Sequence, residues 1–263
     1  MSPERKPAWA KAILALPNGS VLTLVGKSLV HRSDNGWTVV LPDVGGSNEN
    51  AQLKRSGDGS IWLLVPRGLW KISSDVKTTT QVLTASEDVS LLSFCIDRVG
   101  DVWVAKKAAL DQVHLYQLRD EQVLDERPMP FFYERGGVSV LARPDGSIAC
   151  CSGQRISGLY LFDPDTKRWD QLGDNTDMWS QYHASSGREG TVWIGREGGL
   201  SRLMPDGTLL EYSDLKFDLS QLVYSLFEAS NHRLWLIGHI GEVYSVDLSN
   251  DEWMTYVGLN FEF

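Results

Sequence analysis

The sequence predicts an all-β fold, a β-propeller of six blades with four antiparallel strands in each blade. Three observations support this prediction. A segment made of a turn and a strand recurs six times along the 263 residues. Each copy contains enough short apolar runs for four strands, and a helical period of 3.6 residues is almost absent. A propeller of seven blades, one of them unrecognised, is the alternative.

Five of the six copies of the recurring segment place a Gly in a tight turn, and every copy has an apolar residue three positions after that turn residue, large in all but one. The copies read PNGSVLTLV, GDGSIWLLV, RVGDVWVAK, PDGSIACCS, REGTVWIGR and SNHRLWLIG. The apolar residue is Leu22, Trp62, Trp103, Ala149, Trp193 or Trp235, and His232 replaces the Gly in the sixth copy. Gly suits these hairpin turns because it accepts positive φ. We expect the indoles to fill the wedges between neighbouring blades.

Apolar runs on both sides of each turn supply the four strands. Examples of the first to fourth strands are AILAL, IWLLV, GLYLFD and GWTVVL. We therefore expect a single domain over residues 1–263, whose first and last blades pack together to close a ring. The expected blades cover about 8–43, 50–84, 90–126, 137–173, 181–213 and 222–258.

Composition excludes several classes of protein. The net charge of −9 and the pI of about 5.1 argue against a nucleic-acid surface. No apolar run is long enough for membrane insertion. Three cysteines, Cys95, Cys150 and Cys151, do not form a disulfide framework. We recognise no apolar leader segment, so we predict a cytoplasmic location.

The segment EGTVWIGREGGLSRLMPDG resembles the two-component regulator propeller repeat. In that repeat an acidic residue and Gly precede a hydrophobic-Trp-hydrophobic-Gly run, which is followed by Gly-Leu and a short strand. DGSIWLLVPRGLWKI and SGLYLFDPDTKRW match parts of the same pattern. Family members typically lie outside the membrane in sensor kinases, joined to a spanning helix and signalling domains. The resemblance implies a stand-alone propeller that binds a partner or ligand and signals through another chain.

One face of a propeller carries the turns between second and third strands, and ligands and partners usually bind there. Each of these turns has a potential cation three to six residues after the Trp position. The cations are Lys27, Arg67, Lys106 with Lys107, Arg155, Arg196 and His239. They predict a positive face that attracts a small anionic ligand or a protein partner with acidic segments. Ordinary solvated loop charge is the alternative.

Aromatic residues stand out in two of the connections between blades. They are Phe132 and Tyr133 in one connection, and Trp179, Tyr182 and His183 in the next. Aromatic side chains beside Arg are common at binding hot spots, so we add these residues to the predicted site. The alternative is that they pack beneath the loops and shield the interfaces between blades.

No catalytic motif and no metal-ligand spacing occurs in the sequence. We therefore predict a non-enzymatic binding module with no catalytic residue, no metal and no cofactor. The repeats also resemble, distantly, the streptogramin B lyases, which are propellers with a His, a Glu and a magnesium ion. That resemblance implies a C–O lyase in which His183 or His239 acts with Glu228 or Glu197. A structural scaffold subunit of a protein complex is the other alternative.

Overall fold

The chain folds as an all-β, six-bladed propeller, which confirms the predicted fold class. The computed structural model describes residues 10–45, 50–132, 137–152, 158–172, 181–196, 199–212, 223–238, 243–249 and 252–256. These ranges hold six four-stranded antiparallel sheets, here called blades 1 to 6 in chain order. Two single-turn 3-10 segments, Ala109–Asp111 and Arg188–Gly190, are the helical elements of the described residues. No helix in this part of the chain has the length and apolarity to cross a bilayer.

The chain divides into two compact units, Met1–Pro128 and Met129–Phe263. Blade 1 contains β1 (Ala10–Ala15), β2 (Val21–Val25), β3 (Ser28–Ser33) and β4 (Gly36–Leu41). Blade 2 contains β5 (Gln52–Arg55), β6 (Ile61–Val65), β7 (Gly68–Ile72) and β8 (Thr79–Thr84). Blade 3 contains β9 (Ser90–Ile96), β10 (Val102–Lys107), β11 (Gln112–Arg119) and β12 (Gln122–Phe132), and β12 continues past the unit boundary.

The second unit contains blades 4 to 6. Blade 4 contains β13 (Val138–Ala142), β14 (Ile148–Ser152), β15 (Leu159–Asp163) and β16 (Arg168–Leu172). Blade 5 contains β17 (Gln181–Ser186), β18 (Val192–Arg196), β19 (Gly199–Leu203) and β20 (Leu209–Tyr212). Blade 6 contains β21 (Val223–Glu228), β22 (Arg233–Gly238), β23 (Val243–Asp247) and β24 (Glu252–Tyr256). The single-domain expectation stays a prediction.

The turn between the first and second strands has the geometry that the repeat predicts. In blade 2, Ser56 N donates to the Ser60 carbonyl at 2.9 Å, and Gly59 N donates to the Ser56 carbonyl at 3.0 Å. Gly59 has φ of 88°. In the sixth copy His232 takes the left-handed conformation with φ of 60°, which His adopts more readily than most residues do.

The indole after this turn packs against the next blade, as expected. In β6, Ile61 and Leu63 contact the core shared with blade 1. Trp62, which lies between them in sequence, contacts the core shared with blade 3. In the second unit Trp193 packs against Leu226 and other residues of blade 6. Successive side chains of a strand point to opposite faces, so each inner strand serves two cores.

Inner strands of neighbouring blades are also joined by polar contacts. Phe94 N, on β9, donates to Gln52 Oε1 at 3.5 Å, and Lys54 Nζ donates to the Phe94 carbonyl. At the corresponding place in the second unit, Ala184 N donates to Ser139 Oγ at 3.2 Å. These contacts satisfy backbone groups on the open edge of an inner strand, where no further strand pairs.

Candidate functional site

Two of the cations predicted for the turn face are held by other protein groups. One guanidinium nitrogen of Arg67 donates to the Ser86 carbonyl and, at 3.5 Å, to the Val89 carbonyl. This places the Arg67 side chain against the connection between β8 and β9. Lys107 Nζ lies 2.7 Å from Asp111 Oδ1. Both side chains therefore stabilise local structure in the first unit.

The other two described cations of this unit differ from each other. Lys106 Nζ lies 4.8 Å from the centroid of the Tyr116 ring, a cation–π distance. Lys27 is exposed in the turn between β2 and β3. Lys106 and Lys107 were predicted to be turn residues, but they belong to β10. The strand is longer than its apolar run because both lysines pair with residues of β11.

Several predicted site residues lie outside the described residues, namely Arg155, Tyr133, Trp179 and His239. Others were assigned to loops but lie on strands, namely Phe132 on β12, Tyr182 and His183 on β17, and Arg196 on β18. Backbone pairing extends these strands beyond their apolar runs. Of this group, His183 keeps contact with solvent, while desolvation by neighbouring protein atoms lowers its pKa below the ordinary value. Their assignment to a binding site stays a prediction.

A cleft of about 440 Å³ lies between blades 2 and 3 of the first unit. Three hairpin turns form its rim: Ser56–Ser60, Asp97–Asp101 and the turn at Asp120 and Glu121. In an antiparallel sheet, these turns lie at the strand ends opposite the turns of Lys27 and Arg67. The site predicted from the sequence therefore lies at the opposite strand ends from this cleft.

The floor of the cleft is apolar and includes an indole. Trp62, Val102 and Leu118 line it, and Trp62 is 5% exposed. Lys71, from β7, lies beside this floor with Nζ 5.5 Å from the centroid of the Trp62 ring. The same Nζ lies 3.0 Å from Glu121 Oε1, so an ion pair bridges the two blades.

Two of the carboxylates around the cleft are used by their own turns. Asp58 accepts hydrogen bonds from Ser56 Oγ and from Ser60 N and Oγ. These bonds, the one from Ser56 first, lower the pKa of the Asp58 carboxyl. Asp97 Oδ1 accepts from Val99 N and Asp101 N, at 3.0 and 2.9 Å. Neither carboxylate needs a ligand to satisfy it.

The third rim turn leaves an exposed carboxylate, that of Asp120, without a hydrogen bond, although neighbouring Arg119 attracts it. Asp120 and Glu121 have φ of 49° and 66°, as in a type I′ turn, although neither is the Gly or Asn that such turns favour. Glu121 bonds Lys71, whereas Asp120 makes no hydrogen bond or ion pair with the described residues. Four carboxylates and two cations line the cleft, so its formal charge is negative.

The indole N–H groups of three equivalent tryptophans differ in their hydrogen-bond acceptors. Trp103 Nε1 donates to Asp97 Oδ2 at 2.9 Å, and Trp193 Nε1 donates to Glu228 Oε2 at 2.7 Å. Trp62 Nε1 has no acceptor within the described residues, and this indole lines the cleft. Aligning the repeats could have revealed the difference, because Ser56 stands where blade 3 has Asp97.

A smaller groove occurs at the same end of blades 1 and 2. Its volume is about 210 Å³, and Leu16, Arg55 and Ile61 are among its lining residues. Here Leu22 occupies the Trp position, so this groove contains no indole N–H. Of these two cavities in the first unit, only the larger one combines an aromatic floor with unsatisfied polar groups.

Glu228, one of the residues considered for a lyase, has a structural role in the second unit. Its Oε2 accepts from Trp193 Nε1 and, at 3.1 Å, from Arg188 N. Glu197 and His239 lie outside the described residues. Among the residues that the structure does describe, no group of three His, Cys, Asp or Glu side chains could hold a metal ion.

No protein-family model and no curated protein sequence matches the chain. Solved structures do match it. Virginiamycin B lyase from Staphylococcus aureus, an inactive variant with quinupristin, has a TM-score of 0.77 at 12% identity over 97% of this chain and 86% of that one. Extracellular domains of two putative hybrid two-component systems from Bacteroides thetaiotaomicron have TM-scores of 0.71 and 0.64, at 12% and 13% identity.

These likenesses establish the fold. The resemblance to regulator propellers and, distantly, to streptogramin lyases is therefore confirmed at the level of fold. The alignments with the two-component structures include 98% of this chain. They include only 37% and 36% of those extracellular domains, so this chain spans about a third of their length.

The predicted cytoplasmic location is wrong. The finding that overturns it is that the two-component structures sharing this fold are extracellular domains. The prediction depended on the lack of a recognised leader segment and of paired cysteines.

Proposed function

We propose that this chain is a non-enzymatic binding and sensing module whose ligand site is the cleft between blades 2 and 3. The cleft itself is the observation that carries the proposal. Its volume of about 440 Å³ falls in the range of small-molecule sites. Its apolar floor and the charged groups on its rim are the combination that orients a bound ligand.

The second support is the unsatisfied chemistry of the cleft. Trp62 is almost fully buried, and its indole N–H has no acceptor in the described residues. Asp120, exposed on the rim, makes no hydrogen bond or ion pair there and interacts with Arg119 only at longer range. Both groups face the open cleft, so in the unliganded protein water can bind them. A ligand that contacts both groups would replace that water with fixed partners.

The solved extracellular domains with this fold support a sensing role outside the cytoplasm. A binding module needs an output, and we propose that ligand occupancy is transmitted through another protein or segment. The predicted protein partner fits the opposite strand ends, where Lys27 is exposed. The small anionic ligand predicted from the turn cations stays a prediction for those strand ends, and the negative charge of the cleft does not favour an anion in the cleft itself.

Protein NMR with a library of small polar compounds of all charge types tests this proposal. We expect binding compounds to shift the backbone amide resonances of Gly57, Val99 and Glu121, which line the cleft. The amides of Gly146 and Gly207, in hairpin turns of the second unit, serve as controls and should stay unchanged. Shifts confined to other regions, or no shifts with any compound, would contradict the proposal.

A further inference from the structure

The ligand chemistry of the cleft can be inferred from a comparison of the repeats, on the basis of the function proposed above. We infer that the ligand combines an organic cation with a carbonyl oxygen, as a lysine residue in a peptide does. The carbonyl accepts the Trp62 indole N–H, and the cation binds the rim carboxylates.

The need for an acceptor follows from two missing carboxylates. In blade 3 the acceptor for Trp103 comes from its own blade, from Asp97, and the equivalent residue of blade 2 is Ser56. In the second unit the acceptor for Trp193 comes from the next blade, from Glu228. The equivalent residue facing Trp62 is Ile96. Both sources are therefore absent at Trp62.

No described protein group accepts from Trp62 Nε1, so water or a ligand in the open cleft supplies the acceptor. Ser56 Oγ has a single proton, which goes to Asp58 Oδ1 or to the Ser60 carbonyl, and no hydrogen bond joins it to Trp62 Nε1. Asp97 already accepts three hydrogen bonds, including the one from Trp103. Trp62 nevertheless lines an open cleft with room for several ligand atoms. An oxygen of a bound molecule can therefore reach the position that Asp97 and Glu228 fill elsewhere.

The charge of the rim selects against an anion as the source of that oxygen. The carboxylates of Asp58, Asp97, Asp120 and Glu121 outnumber the cations of Lys71 and Arg98. Lys71 is already paired with Glu121. A carboxylate on the ligand would be repelled by this net negative charge, whereas a neutral carbonyl on the ligand would not. Asp120 is exposed on the rim and interacts with Arg119 only at longer range, so it is the natural contact for a ligand ammonium group.

The test is a titration with Nα-acetyl-L-lysinamide, which carries one ammonium group and two amide carbonyls. The indole ¹H–¹⁵N resonance of Trp62 reports binding directly. Nα-acetyl-L-norleucinamide, similar in shape but without the ammonium group, should bind at least tenfold more weakly. Nα-acetyl-L-glutamate amide, which carries a carboxylate, should bind more weakly still.

Two variants separate the contacts that we infer. Trp62→Phe keeps an aromatic floor but removes the N–H, and Asp120→Asn removes the rim charge. Each should weaken lysinamide binding about tenfold or more. Trp193→Phe and Asp165→Asn make the same changes in the second unit, where Asp165 is exposed in the turn of blade 4 between β15 and β16. These control variants should bind like the unmodified protein.

The outcomes distinguish this inference from the function on which it rests. Equal or tighter binding of the glutamate compound, or unchanged binding by Trp62→Phe, would overturn the inference. If other library compounds still bind in the cleft, the proposed function survives that result. If no compound of any charge binds there, both the inference and the proposed function are wrong.

Discussion

Trp62 in the first unit and Trp193 in the second occupy the same place in the repeat, yet their polar ends meet different surroundings. Both rings pack against the next blade. Trp193 donates to Glu228, and its ring also lies 4.8 Å from the Arg202 guanidinium. Trp62 donates to no described residue and lines an open cleft. The repeat therefore specifies the ring, whereas residues that vary between copies decide what the N–H contacts.

The closed arrangement around Trp193 depends on Gly187, which has no side chain. Gly187 lies where a Cβ would be 2.6 Å from Glu228 Oε2 and 2.9 Å from Trp193 Cδ1. The lack of that Cβ lets Glu228 reach both the indole and Arg188 N. Around Trp62 the equivalent position is Ser56, and no carboxylate accepts the indole N–H. One region uses its polar groups for stability, and the other leaves them available.

Gly187→Ala should have the largest effect. Its new Cβ would also lie 2.2 Å from Thr191 Oγ1, so the turn or Glu228 must move, and we expect a loss of about 3 kcal/mol in unfolding free energy. Gly57→Ala, in the turn beside Trp62, has no atom within 4 Å of its Cβ and should change stability little. Urea unfolding of both variants measures the difference, and equal losses would contradict the comparison.

Glu228→Ala should come next, with a loss of about 2 kcal/mol, because Trp193 Nε1 and Arg188 N would both lose a charged acceptor. Combining it with Trp193→Phe in a double-mutant cycle isolates the indole contribution. A coupling free energy near zero would mean that this hydrogen bond does not stabilise the second unit.

Asp101→Asn should cost about 1.5 kcal/mol at neutral pH, because Asp101 accepts two bonds from Arg119 and one from Gln117. The Arg119 bonds lower the pKa of the Asp101 carboxyl. Asp101 therefore stabilises the fold above the ordinary carboxyl pKa of about 4, and this contribution disappears as pH falls through the lowered folded-state value. Thermal unfolding from pH 7 to pH 2 should show a shallower acid decline in the variant. An unchanged acid decline would count against this role.

The smallest expected effect is an increase in the unfolding free energy. Ser56→Asp with Asp58→Val copies Asp97 and Val99 of blade 3 into blade 2, and should supply the acceptor that Trp62 lacks. We expect about 1 kcal/mol of added stability from the new hydrogen bond. The gain should vanish in the Trp62→Phe background. A gain that persists there would show that the new carboxylate stabilises blade 2 without contacting the indole.

The fold could be predicted because its signals are local. A Gly in each hairpin turn and an apolar residue three positions later specify a strand pair, and His232 meets the same backbone demand. The packing of Trp62 and Trp193 follows from strand alternation. The residue at the Trp position can also be small, since Ala149 is fully buried in blade 4.

The candidate site could not be predicted in the same way. Arg67 and Lys107 looked like free surface cations, and only the structure shows that the Ser86 carbonyl and Asp111 engage them. The cleft forms where turns from two different blades meet, which no single repeat encodes. The exchange of Asp97 for Ser56 is visible in the sequence. Its meaning depends on knowing that this carboxylate reaches an indole.

Hydrogen exchange of the indole N–H groups tests the central claim most directly, because it needs no ligand and reports each tryptophan separately. We predict that the Trp62 indole proton in the unliganded protein exchanges with D₂O at least tenfold faster than those of Trp103 and Trp193, which are hydrogen-bonded to carboxylates. Equal protection of all three protons would contradict the account, because it would mean that Trp62 already has an acceptor within the protein.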